Sequence, residues 1–252
     1  MHWTAADVRD IAGIMNAPAS RRAVLAATLV TFLFALAGYC LRGVTRSGAL
    51  AGFAVALLLY LNAGFGAFAT LVALFVLTLL ATRLGRHRKL ALGTAERPEG
   101  RSASQVLANV GVSALFATLY GAFGKASLLA AGAAALAEAA ADTVSSEGGQ
   151  AYDSPVRLVT TGARVPVGTN GGISAVGTVC GALAAAGMAL AAVLGGLVSA
   201  SSAWIVALAA LCGMFLDSLL GALLEGPGRL NNDAVNLLGT LAAALLAWWW
   251  VR

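Results

Sequence analysis

From residue 23 onward the chain is built from apolar runs long enough to cross a membrane. A helix needs ~20 such residues to traverse the hydrocarbon core. In that solvent every backbone N–H and C=O must be satisfied internally. The runs are rich in Ala, Leu and Val and lack period-2 alternation, so they read as helices rather than barrel strands. The predicted fold is all-α: a polytopic transmembrane helix bundle of about eight spans. These are 23–41, 48–62, 64–82, 104–121, 126–143, 172–198, 201–223 and 234–251. The 48–62 run is short, which leaves a count of seven open. Residues 1–22 hold no span and read as an N-terminal surface segment, and 23–252 as a single transmembrane domain.

The charges are few, and their placement carries information. Charged residues make up 11% of the chain, against about 25% in a soluble domain. The net charge of +5 therefore does not point to nucleic acid. Short cytoplasmic loops collect Lys and Arg. Arg42 and Arg46, the run Arg83 to Arg101, Arg157 and Arg164, and Arg229 fall in four loops that eight spans place on one face. That face is assigned to the cytoplasm of an inner or plasma membrane, with Arg21 and Arg22 opposing the assignment. The other face is nearly bare, which suits a one-sided enzyme better than a transporter reached from both sides. Cys40, Cys180 and Cys212 have no ligand spacing and predict neither a disulfide nor a zinc site.

Eleven acids exist, and those in or at the ends of spans are expensive. An ionised group at a helix centre costs about 2.5–3.5 kcal/mol on insertion scales. Glu138 and Asp142 share a helix face at i, i+4, with a structural, protonated role for Glu138 equally open. Asp217 and Asp233 lie at other span ends on the cytoplasmic side. Carboxylates brought together repel unless a cation joins them, and hard oxygen donors suit Mg²⁺. Asp142, Glu147, Asp217 and Asp233, with Asn232 and Asn236 beside Asp233, are the expected metal ligands.

Two polar stretches accompany the acids. VPVGTNGGIS (165–174) presents Gly168, Thr169, Asn170, Gly171, Gly172 and Ser174 at the start of a span, where free N–H groups favour anions. Alone it reads as a capped turn, and it is no Walker motif. Beside the acids and the basic loops it reads as a phosphate cradle. Arg101, Gln105 and Asn109 recur at i, i+4, i+8 on one helical face, an Arg fork with amide donors suited to phosphate. Lys89 and Arg164 complete the expected phosphate contacts, and Asp142, Asp217 and Arg101 are the expected catalytic residues. A faint repeat pairs Asp142-Thr143 and Gly177-Thr178 with Asp217-Ser218 and Gly239-Thr240, which would make span pairs 5–6 and 7–8 parallel repeats.

RSASQVLANVGV, AADTVSSEGG, RLVTTGARVPVGTNGGISAVGT, FLDSLLGA and LNNDAVNLLGT occur in this order. Together they resemble an integral-membrane family over roughly residues 20–250. The family includes the plant chloroplast phytyl-phosphate kinase of vitamin E synthesis, the animal transmembrane protein nineteen, and bacterial and archaeal members of a domain of unknown function. Val144 and Gly148 depart from the family pattern while the polar positions are kept. The Asp-Thr motif is also similar, more weakly, to motifs of CTP-dependent lipid-alcohol kinases and membrane cytidylyltransferases.

The resemblance implies a prenyl-monophosphate kinase using a nucleoside triphosphate, CTP favoured, with Mg²⁺ as cofactor. Residues 23–252 would then be the catalytic domain, with the lipid bilayer, a prenyl phosphate such as phytyl or geranylgeranyl phosphate, and a nucleotide as partners. A homo-oligomer stays open. The alternatives are a lipid-alcohol kinase or cytidylyltransferase and, in a different class, a lipid-phosphate flippase or transporter.

Overall fold

A computed structural model describes residues 21–251, so the expected surface segment lies outside the described residues apart from its last two positions. Those two begin the first helix. The helices are α1 (Arg21–Cys40), α2 (Arg46–Arg83), the short α3 (Arg86–Leu92), α4 (Ala103–Phe123), α5 (Ala126–Ala151), α6 (Ala175–Leu194), α7 (Ala203–Leu220) and α8 (Asn232–Trp250). The all-α bundle is the observed architecture. Among the described residues six helices are long and apolar enough to cross a membrane.

α2 resolves the span count. Its 38 residues leave helical space at one point, Gly64, with φ 81° and ψ −178°. A positive φ costs glycine nothing, and the chain doubles back there. Arg83, at the far end, donates from Nη2 to Leu41 O at 2.8 Å, just ahead of where α2 begins. Gly48 and Thr78 line one cavity. The legs 46–63 and 65–83 therefore lie antiparallel, as two spans rather than one. With α8 packed on α4, α5 and α7, eight rods result.

α5 is the central rod. Every residue from 133 to 141 is buried, and α5 touches α2, α4, α6, α7 and α8. Its Ala-rich sequence forms helix readily and lets neighbouring helices approach closely.

Contacts divide the bundle into two ends. The connections 41–45, 84–102, 152–174 and 226–231 meet at one end. Thr45 N donates to Arg101 O at 2.9 Å, Arg88 pairs with Asp153 at 2.9 Å, Gly168 lies against Thr94 and Gly171 against Ala222. At the opposite end Gly66 meets Gly195, and Gly121 meets Asn62. The four rods leaving the polar end are all capped by side chains: Thr45, Ser102, Ser174 and Asn231. Each such cap is worth about 1 kcal/mol. α5 and α7, which start at the opposite end, have no side-chain cap.

One expected span needs correction. Residues 172–173 are not helical; the sixth rod begins at Ala175 and is capped by Ser174. β1 (Arg157–Leu158) pairs antiparallel with β2 (Gly172–Ile173), Arg157 opposite Ile173 and Leu158 opposite Gly172. Val165 N to Val156 O at 3.1 Å and Val159 N to Gly171 O at 3.0 Å extend the hairpin. Val156, Val159, Val165 and Val167 favour extended backbone, a signal hidden among the turn residues.

Candidate functional site

Three of the costly acids, Glu138, Asp142 and Asp217, meet towards the polar end. Glu138 on α5 is 1% exposed, and its Oε1 has no hydrogen-bond partner. Asp217 Oδ2 on α7 is likewise buried without a partner. Both side chains flank Gly239 of α8: a Cβ there would meet Glu138 Oε1 at 2.6 Å and Asp217 Cβ at 3.4 Å. Asp142, one turn along α5 from Glu138, acts electrostatically on both Glu138 and Asp217. Leaving a buried polar atom unpaired costs about 1–3 kcal/mol, more when charged.

The cluster includes a residue the sequence reading missed. α7 continues past Leu220 as a π-helical turn, Gly221–Glu225, and Glu225 acts electrostatically on Asp142 and Asp217. Helical π turns concentrate at functional sites. Glu225 also sits at a helix C-terminus, where the macrodipole disfavours an anion. Its spacing from Asp217 is i+8, one helical face. That signal was visible once the predicted span was extended by half a turn.

Arg101 borders the cluster. It precedes α4 rather than lying on it, since Ser102 is the N-cap. Its Nη2 lies 3.4 Å from Thr143 Oγ1, and its charge acts on Asp142. Gln105 and Asn109 do not extend a phosphate fork in the way their spacing suggests. Gln105 closes a capping box with Ser102, its Nε2 3.4 Å from Glu96. Asn109 is buried and donates from Nδ2 to Gln105 O at 2.8 Å.

The glycine stretch is seated beside the acids. Gly171, with φ 75°, rests on the π turn of α7: a Cβ would strike Ala222, and Gly221 faces Gly171 N. The loop is thus in contact with the turn that carries Glu225. Thr169 Oγ1 donates to Pro166 O at 2.8 Å, while Gly168, Asn170 and Arg164 are exposed.

Lys89 and Glu147 are committed to each other. Lys89 is 1% exposed and its Nζ donates to Glu147 Oε2 at 2.6 Å, Thr82 O at 2.8 Å and Ala81 O at 3.0 Å. An ammonium has three donors, so none is left for a phosphate. The pair pins α3 to the end of α5. Asp233 lies half-buried in the first turn of α8, Asn236 is half-buried one turn on, and Asn232 is exposed. Among the described residues no three His, Cys, Asp or Glu side chains form a ready-made metal cage. The orphaned oxygens of Asp217 and Glu138 beside Asp142 and Glu225 are nonetheless hard donors that a divalent cation would satisfy.

Arg101 also lines a cavity of about 210 Å³ between α1, both legs of α2, α4 and the 95–101 loop, which none of Glu138, Asp142, Asp217 and Glu225 lines. Phe34, Leu71, Leu74 and Phe75 line its interior, and arginines gather at its polar rim.

The description "Integral membrane protein DUF92" matches residues 29–244. The chain belongs to that family. It is 36% identical to an uncharacterised membrane protein of Methanocaldococcus jannaschii, covering 73% of this chain and 75% of that one. Chloroplastic protein VTE6 of Arabidopsis thaliana is 32% identical, over 81% of this chain and 65% of VTE6. Protein PGR of the same plant is 31% identical, over 80% of this chain and 79% of PGR. No solved structure matches the chain.

Proposed function

We propose that the protein is a Mg²⁺-dependent membrane kinase that transfers a phosphoryl group from a nucleoside triphosphate, CTP in preference, to a prenyl monophosphate. The site would face the cytoplasm. The family resemblance and the VTE6 relative support a prenyl-phosphate kinase. The observation that carries the reading is the cluster of Asp142, Asp217 and Glu225, with an unpartnered Asp217 oxygen, between Arg101 and the Gly168–Gly172 loop.

An acceptor phosphate oxygen attacks the terminal phosphorus of the nucleotide. The P–O bond to the departing nucleoside diphosphate breaks, and the prenyl diphosphate forms. A phosphate monoester is largely dianionic at neutral pH, its second pKa being about 6, so no strong general base is required. The difficulty is to bring two polyanions together, which positioning and positive charge solve. Asp142, Asp217 and Glu225 would hold Mg²⁺, with Asp233, Asn232 and Asn236 as the further oxygen donors of that end. The ion's contribution is to neutralise phosphate charge. Arg101 holds a phosphate oxygen at the edge of the cluster. Gly168 to Gly172, with Ser174 and Arg164, receive the nucleotide phosphates through backbone N–H groups and charge. Lys89 and Glu147 serve as scaffold.

The test is product analysis. Purified protein with Mg²⁺, geranylgeranyl phosphate and CTP or ATP is expected to release nucleoside diphosphate and geranylgeranyl diphosphate. Release of pyrophosphate instead would assign a nucleotidyl transferase. No product from any prenyl phosphate would overturn the reading.

A further inference from the structure

The cavity that Arg101 lines has the shape and chemistry of an amphiphile site. Its depth is formed by Phe34, Leu71, Leu74, Phe75, Val106 and Val110, from three different rods. Its rim carries Arg42, Arg83, Arg86, Arg97 and Arg101 against Glu96 alone. Such a rim repels itself unless an anion sits in it, and guanidinium forks match phosphate oxygens. Desolvated apolar depth under a cationic mouth selects a molecule with a long hydrocarbon tail and an anionic head.

One backbone detail supports this. α1 ends in a Schellman turn: Gly43 N donates to Gly38 O at 3.0 Å and Arg42 N to Tyr39 O at 2.9 Å. The C′ position of that turn calls for left-handed backbone and is usually glycine. Here it is Arg42, at φ 57°, the one non-glycine residue with positive φ among the described residues. The strain is retained at a residue whose side chain lines the rim.

We infer that this cavity is the acceptor site: it binds a long-chain prenyl monophosphate, tail between α1, α2 and α4, phosphate among Arg42, Arg83, Arg86 and Arg97. This rests on the kinase reading and deepens it. Arg101 lies on the boundary, lining the cavity and facing Thr143 and Asp142. The glycine loop rests on the π turn of α7 through Gly171 and Ala222, and on Thr94 through Gly168. With the acceptor phosphate among these arginines, the glycine loop, seated on the turn that carries Glu225, is left to the nucleotide.

Gly52 provides a clean probe. It lines the cavity, and a Cβ there would meet nothing within 4 Å. A Cβ there enters open space, so a larger side chain starts into the cavity without a collision at its root. Binding of geranylgeranyl phosphate, geranylgeraniol and dimethylallyl phosphate is measured in nanodiscs without nucleotide or Mg²⁺. Wild-type protein is expected to prefer geranylgeranyl phosphate over both others. Arg97→Gln should weaken it at least tenfold while leaving geranylgeraniol unchanged. Gly52→Phe should weaken it at least tenfold while leaving dimethylallyl phosphate unchanged, and Gly52→Leu serves if the Phe variant does not keep its thermal midpoint. Native mass spectrometry should show geranylgeranyl phosphate displacing any co-purified phospholipid.

Unchanged binding in Arg97→Gln and a folded Gly52 variant would overturn the site even if transfer persists. A phospholipid that stays bound while the prenyl phosphate fails to bind would overturn it too. Binding as expected, with no transfer from any nucleotide, would sink the kinase reading and leave the site standing.

Discussion

Arg42 and the Lys89–Glu147 pair show two ways in which one side chain is held against its own preference. Left-handed backbone costs a non-glycine residue about 1–2 kcal/mol. Arg42→Gly should therefore raise the thermal midpoint by a few degrees, since about 1 kcal/mol shifts a chain of this size by about 2–4 °C, while weakening binding of geranylgeranyl phosphate. A thermal scan and a binding isotherm on one preparation check both halves. The buried pair carries the opposite prediction. Removing one partner of a buried ion pair costs about 3–5 kcal/mol, whereas replacing both with apolar residues is often neutral. Glu147→Ala should be poorly folded, and Lys89→Met with Glu147→Leu should regain most of the midpoint. If that double variant is stable yet loses all transfer with unchanged substrate binding, the pair has a chemical role after all.

The elements differ in how plainly the sequence announced them. The rods were legible because bilayer length and backbone satisfaction leave few choices. Even the Gly64 reversal was implied by two apolar runs separated by one residue. The hairpin 156–173 was not legible, because its four valines are interrupted by Gly162, Pro166 and Gly168 and its strands are two residues long. The π turn was missed because a tighter or looser last turn leaves no hydropathy signature, and Glu225 was missed with it. Asp142 and Asp217 stand out through their cost in an apolar rod, whereas Lys89 and Glu147, expected as a phosphate contact and a metal ligand, are paired with each other in the structure, which no spacing in the sequence announces. Gly171 tests the contact between hairpin and π turn. Gly171→Ala combines a positive φ with a collision against Ala222. It should raise KM for the nucleotide more than tenfold, with KM for the prenyl phosphate little changed. Limited proteolysis should cut the hairpin faster. Equal effects on both KM values would contradict the assignment of the loop to the nucleotide.

Across the whole molecule, function is separated by end. The second, fourth, sixth and eighth rods begin at the polar end, so four positive helix termini converge where the phosphates are proposed to meet. Among the described residues the opposite end offers only short turns around Gly64, Gly124 and Gly195. Single cysteines at Arg97 and at Gly124, in a background without Cys40, Cys180 and Cys212, should label from opposite sides of sealed vesicles, the Arg97 site from the cytoplasmic side. Labelling of both from one side would dismantle the topology. The central claim is phosphoryl transfer at the Asp142, Asp217 and Glu225 cluster. Its most direct measurement follows the terminal phosphate of labelled CTP and ATP into extracted lipid, with geranylgeranyl phosphate and Mg²⁺, for wild-type protein and Asp217→Asn. The account predicts labelled geranylgeranyl diphosphate from the wild type and at least a hundredfold less from the folded variant; no labelled lipid with either nucleotide, or equal label from both proteins, would contradict it.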